Sequence, residues 1–256
     1  MIDSKNILQQ FNATYLKDME GVKLMNRTDT KFAFSFLKYE QLLEELKPFY
    51  NVLQIEDKRI CRYKTLYYDT KNLGLYIKHH NGELNRYKIR HRTYLDSNVG
   101  FLEVKFKNNK GRTIKDRILS KDVPLTWEND ALSFLNALLP FEPISLIPAI
   151  WVNYSRITLV SKVSAERLTI DLDLEFVKEG LTKKLSNLVI AEVKQEKRSP
   201  SSFMTVMKKY HIREGSISKY CMGIALTCNE VKRNNFKQKL LTLNHIVHDD
   251  FVTSSR

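Results

Sequence analysis

The chain has 256 residues, with 42 Lys and Arg against 29 Asp and Glu, for a net charge of +13. Such an excess points to an anionic partner: nucleic acid, a phosphate-rich ligand or an anionic membrane surface. No run approaches the ~18 apolar residues of a membrane span, the N-terminus has no basic stretch leading into an apolar one, and Cys61, Cys221 and Cys228 lack zinc spacing. A membrane span, a signal peptide and a zinc module are therefore not expected, and a reducing, cytoplasmic location is.

In chain order, Ile7, Leu8, Phe11, Tyr15 and Leu16 recur at helical spacing, with Asp3 or Ser4 as candidate caps. A strand carrying Arg27, Asp29 and Lys31 on one face is expected within residues 23–34, then a helix through Leu42, Leu43 and Leu46 that stops before Pro48. Residues 59–70 read as a strand, followed by a short helix to His79 that Asn81-Gly82 ends. Residues 86–94 put Arg86, Lys88, Arg90 and Arg92 on one strand face; residues 101–107 do the same with Glu103, Lys105 and Lys107. Asn108-Asn109-Lys110-Gly111 marks a hairpin turn, and the return strand carries Lys115 and Arg117. Prolines 124, 140, 143 and 148 bound a covering segment with one helix. Residues 149–163, 166–177 and 188–194 read as strands. Helices are expected after Pro200 and after Ser218, and an amphipathic one over 232–251.

The stretch from Arg167 to Phe176 alternates over ten residues, with Arg167, Thr169, Asp171, Asp173 and Glu175 on one face. Across the strands the polar faces are rich in Lys and Arg, while acidic groups are few: Glu103, Asp171, Asp173, Glu175 and Glu192. A one-sided antiparallel sheet with a solvated face accounts for alternation alone. A closed barrel that turns those faces inward, around a chain of phosphates and a metal ion, accounts also for the bias to basic residues.

Five ordered pieces of this chain resemble the VTC domain of polyphosphate polymerases, within the triphosphate tunnel metalloenzyme superfamily. They are residues 26–32; 88–94; 101–105 with Lys115-Asp116-Arg117; Tyr154-Ser155-Arg156 with 167–173; and 191–194 with Ser218-Lys219-Tyr220. The resemblance implies an α+β fold: a closed eight-stranded antiparallel β tunnel barrel with helices packed outside. One such domain is expected over 1–256, with 1–20 an N-terminal helix and 230–256 a C-terminal helical tail.

The resemblance implies that Lys31, Arg90, Lys105, Arg156 and Arg167 are catalytic. It implies that Arg27, Lys88, Arg92, Lys107, Lys115, Arg117 and Lys219 bind phosphate, with two registers open between Lys88 and Arg92. Glu192 matches a metal-binding glutamate for Mn²⁺ or Mg²⁺. The superfamily's opening Glu-x-Glu-x-Lys is Arg27-Thr28-Asp29-Thr30-Lys31 here, which departs from the pattern at both glutamate positions, keeping a carboxylate only at Asp29, and favours a single metal. The implied partners are ATP or another nucleoside triphosphate and polyphosphate, with any membrane link made through a separate membrane protein. Nucleic acid fits less well, because no row of exposed aromatics runs among the basic residues. His79, His80 and His91 read as solvated or packed side chains, and no Ser-His-Asp or Cys-His arrangement or phosphate loop is present.

Three readings follow: a polyphosphate polymerase; a metal-dependent tri/polyphosphatase or nucleoside triphosphatase on the same scaffold; and a non-catalytic module that binds polyphosphate or nucleic acid.

Overall fold

The computed structural model describes residues 2–22, 28–216 and 218–248. Its elements are α1 (Ile2–Gln9), β1 (Ala13–Thr14), β2 (Thr28–Ser35), α2 (Tyr39–Leu46), β3 (Tyr50–Leu53), β4 (Cys61–Thr70), α3 (Gly74–His80), β5 (Arg86–Tyr94), β6 (Val99–Lys107) and β7 (Thr113–Leu119). They continue with α4 (Asn129–Leu138), β8 (Leu146–Ser161), β9 (Glu166–Lys178), β10 (Leu181–Leu185), β11 (Leu188–Gln195), α5 (Ser202–Lys209), α6 (Lys219–Thr227) and α7 (Lys237–His248). The helix expected over the first twenty residues ends at Gln9, and β1, β3 and β10, too short to show a pattern, were not foreseen.

Eight strands form one antiparallel path in the order β2-β11-β9-β8-β4-β5-β6-β7, and the three short strands bring the sheet to 11. The expected closed eight-stranded barrel is corrected here, because β2 and β7 do not pair. The free edge of β2 is taken by the segment that follows α5: the Gly215 N–H donates to the Lys31 carbonyl at 2.8 Å, and Phe32 bridges Glu214. That segment occupies the middle of the edge, at Lys31 and Phe32, where β7 would otherwise have to pair.

The period of two along each strand divides its side chains between two environments. On the outer face of β2, β11, β9 and β8, residues such as Phe34, Ala191, Leu168 and Ile157 form a core with α1, α2 and α5. On the outer face of β4, β5 and β6, Leu66, Ile89 and Leu102 pack against Trp127 and Leu135 of the covering segment. Asp69 organises the turn beneath it, its carboxylate accepting from the N–H groups of Leu75 and Tyr76, both at 2.8 Å, at the start of α3.

The inward face changes chemistry part-way along each strand. On β8 it runs Ile150, Val152, Tyr154, Arg156; on β11, Leu188, Ile190, Glu192, Lys194. The apolar half is filled by α6, whose residues from Tyr220 to Ala225 are all buried. The helix comes so close that a Cβ on Gly223 would meet Phe176 Cδ1 at 2.6 Å and Ile150 Cδ1 at 2.8 Å, so only glycine fits. Burying a Phe, Ile or Leu side chain is worth roughly 1.5–3 kcal/mol, and this plug leaves only the charged half of the interior open.

The expectation that Asp171, Asp173 and Glu175 share a face does not hold. The β8–β9 register shifts between Asn153 and Ser155, and Asp173 takes φ 54° as the extra residue. A bulge of one residue reverses the facing of everything beyond it. Asp171 stays inside, Asp173 is exposed, and Glu175 pairs with Lys184 of β10 at 3.5 Å while Leu174 and Phe176 turn toward α6.

Candidate functional site: a basic lumen with paired carboxylates

Cross-strand register brings the inward charges into rungs. Lys88, Lys105 and Lys115 are neighbours on β5, β6 and β7; Arg90, Glu103 and Arg117 form the next rung. On the opposite wall Lys31 faces Glu192, Arg167 faces Lys194, and Arg156 faces Asp171. The walls meet electrostatically: Lys105 of β6 and Arg156 of β8 both act on Glu192 of β11, and Lys31 of β2 acts on Lys88 of β5.

Three inward carboxylates each have cationic partners. Buried Glu103 accepts from Arg90 Nε at 2.6 Å and also pairs with Lys115. Asp171 holds Arg156 by a two-pronged contact, Nε at 2.6 Å and Nη2 at 2.9 Å, and accepts from Lys219 as well. Glu192 pairs with Lys194 at 3.0 Å. Burial works against ionisation of all three, yet the cations around them outweigh it and hold each carboxyl below its usual range.

The cations outnumber these acids. Lys88, Arg92 and Lys105 have no carboxylate at salt-bridge distance among the described residues. Lys88 donates only to Ser218 Oγ, at 3.1 Å. Arg92 is 8% exposed; its guanidinium lies 5.6 Å from the Tyr63 ring and 6.0 Å from the Tyr154 ring, and its Nε has no hydrogen-bond partner. Lys105 is pushed well below the usual lysine range, first by Arg90, then by burial and Arg92. Tyr67 reports the same field. Burial raises a tyrosine, but Arg90, Arg92 and Lys88 together bring this one below its ordinary value.

Two features add to the field. Helix α6 starts at the lumen, with Ser218 capping it by accepting from the Cys221 N–H, so the positive end of the helix dipole points among the lysines. A stack of Tyr63 on Tyr154, with centroids at 5.2 Å and planes at 4°, supports Arg92, Arg156 and Lys219, the last with its ammonium 4.9 Å from the Tyr154 ring.

Of the residues singled out from the sequence, Lys31, Lys88, Arg90, Arg92, Lys105, Lys115, Arg156, Arg167, Glu192 and Lys219 lie on this inward face or at the α6 start. Arg117 is at the exposed edge, its guanidinium 4.3 Å from the Phe101 ring, and Lys107 is exposed at the end of β6. Arg27 lies outside the described residues. The histidines are packed: His91 contacts the Ser120 carbonyl at 2.8 Å, and His80 Nε2 accepts from the Asn235 N–H at 3.1 Å.

Asp171, Lys194, Tyr67, Tyr154 and Ser218 belong to the lumen but were not picked as site residues. The alternation placed Asp171 and Lys194 on the right face. Only the fold pairs Asp171 with two cations. The unbroken parity of Cys61, Tyr63, Thr65 and Tyr67 was the signal for Tyr67, and the place of Tyr154 two residues before Arg156 was the signal for that one.

For a divalent cation, the described residues contain no group of three or more His, Cys, Asp or Glu. Glu192, its side chain 18% exposed, offers a single carboxylate. That set does not make an all-protein cage. It fits Mg²⁺ or Mn²⁺ shared between one carboxylate and phosphate oxygens, since such ions usually take one or two carboxylates and complete their shell with substrate.

The model of one protein family, described as the VTC domain, matches residues 26–228. No curated protein matches the chain. Among solved structures, the fold is similar to a putative adenylyl cyclase from Hippeastrum described as having a dominant triphosphatase activity. The TM-score is 0.51 at 14% identity, over 80% of this chain and 98% of that one. A putative adenylate cyclase from Vibrio parahaemolyticus gives a TM-score of 0.47 at 12% identity, over 77% and 98%. A Pyrococcus horikoshii protein gives 0.45 at 11%, over 78% and 96%.

Proposed function

The chain belongs to the VTC domain family, and from that premise we propose that it is a metal-dependent polyphosphate polymerase, which moves the γ-phosphate of a nucleoside triphosphate onto a growing polyphosphate chain. One observation supports this reading above the others: buried Arg92 and half-buried Lys88 and Lys105 face a lumen whose three carboxylates are already paired with other cations. Cations buried without counter-ions are costly, and a chain of phosphates offsets them.

Phosphoryl transfer asks for positioning and charge neutralisation more than for a protein nucleophile. Arg92 has its whole fork available for phosphate oxygens. Arg90 and Arg156 are held in place by Glu103 and Asp171 and keep N–H groups that the carboxylates do not use; Arg90 Nη1 lies 3.1 Å from Tyr67 Oη. Such donors, fixed before substrate arrives, stabilise charge as it shifts in the transition state. Lys31, Lys105, Lys115, Arg167 and Lys219 hold the remaining phosphates in line. Glu192 is the residue that would hold Mn²⁺ or Mg²⁺, and the ion would supply neutralisation of phosphate charge. No helix among the described residues is long and apolar enough to cross a membrane; a separate membrane protein is the kind of partner this reading allows.

Incubation with ATP and Mn²⁺ or Mg²⁺, followed by separation of the phosphate species on a gel or by ³¹P NMR, tests the proposal. Chains longer than the triphosphate are expected. Orthophosphate alone would instead assign water as the acceptor and make the protein a triphosphatase. Binding without turnover at any metal concentration would leave a binding module. Glu192→Gln keeps the size and loses the charge, so it should abolish metal-dependent turnover while tripolyphosphate binding survives.

A further inference from the structure

The start of α6 lies beside α7, a helix that begins after the family match ends at residue 228. There His79, Ser218 and Lys239 line one cleft, and Ser218 Oγ takes the ammonium of Lys88 from the lumen side. Arg86 lies next along β5 from Lys88 on the inward face, and it is the cross-strand neighbour of Lys107. Lys107 and Lys239 are exposed and Arg86 is half-buried. The charged groups that act most strongly on His79 are cationic: after burial, Lys88, Arg86, Lys239 and Lys31 push its imidazole down to about 2. Lysines 88 and 105 belong to the inner ladder; Arg86 and Lys107 extend it by one rung, roughly 7 Å further along the strands.

We propose that Arg86, Lys107 and Lys239 form an outer subsite beside this cleft, which grips linear inorganic polyphosphate beyond the phosphates held in the lumen. The proposal rests on the polyphosphate reading above. A triphosphate fills the inner rungs only; a longer chain reaches the outer ones. The subsite thus makes affinity depend on chain length, and α7 is the part of this chain that completes it.

The test compares tripolyphosphate with long-chain polyphosphate on the full chain, by calorimetric titration at low salt. For Arg86→Ala combined with Lys239→Ala, affinity for the long chain should fall about tenfold, since exposed charges each contribute modestly, while that for tripolyphosphate stays unchanged. Lys239→Glu, a charge reversal at an exposed helix position that leaves the fold alone, changes the net charge by the same two and should lower long-chain affinity to a similar extent. An equal loss for both ligands, or no loss for the long chain in either variant, overturns the subsite. If the unaltered protein binds the two with the same affinity, the subsite alone fails. If it binds neither, the polyphosphate reading fails with it.

Discussion

Glu103 and Arg90 face each other across β5 and β6, and the carboxylate that accepts from Arg90 Nε at 2.6 Å also holds Lys115 from β7. This one buried acid keeps two lumen cations in register. Glu103→Gln should therefore destabilise the protein by about 3 kcal/mol, the order expected when a buried pair loses one partner. Tripolyphosphate should restore part of that loss by supplying the missing negative charge. Urea unfolding of both proteins, with and without tripolyphosphate, measures this; a variant as stable as the parent without ligand would remove Glu103 from its organising role.

Arg92 is the opposite case. Glu103 acts on it only through space, and no carboxylate among the described residues lies at salt-bridge distance, so most of its energetic return comes with substrate. Arg92→Ala should leave thermal stability unchanged or raised, yet lower turnover by about a hundredfold, as losing one preorganised donor typically does. Arg92→Lys should recover only part, because lysine keeps the charge and loses the planar fork. Lys38→Ala, at an exposed position outside the lumen, serves as the control. Parallel losses of stability and activity in Arg92→Ala would indicate a structural role instead.

The lumen lysines carry a pH signature. Burial, opposed by Glu103 and Glu192 respectively, brings Lys115 and Lys194 to about 8 from 10.5, and Lys88 and Lys105 are displaced the same way. Between those values the unfolded chain holds more protons than the folded one, so stability of the ligand-free protein should rise with pH from about 8 to about 10. Bound phosphates reverse the displacement by favouring the charged lysines. Binding should take up protons near pH 8, and the rise in Tm caused by tripolyphosphate should shrink as pH increases. Melting curves across this range, and calorimetry in buffers of different ionisation enthalpy, read both effects. A ligand-induced Tm shift that grows toward pH 10 would contradict the assignment.

Alternation alone determined which side chains share a face. Arg86, Lys88, Arg90 and Arg92 had to stand together once residues 86–94 were extended, because successive side chains of a strand point to opposite sides. The same rule placed Lys105 with Lys115 once the Asn108–Gly111 turn set the hairpin register. Even the division of β8 and β11 into an apolar and a charged half is written in order along the chain.

Only the tertiary structure decided what those faces meet. Asp173 reads as one more step in an alternating run, but packing inserts it as a bulge and sends Glu175 outward, and no local signal marks a residue that a neighbouring strand leaves unpaired. The edge of β2 is taken by Gly215, some 180 residues away in sequence, and not by β7. The division between Glu103, shared by two cations, and Arg92, with no salt-bridge partner among the described residues, depends on distances between separate strands. Periodicity is a property of one segment, whereas pairing, closure and charge balance belong to segments brought together, and these set which cations remain for a phosphate chain.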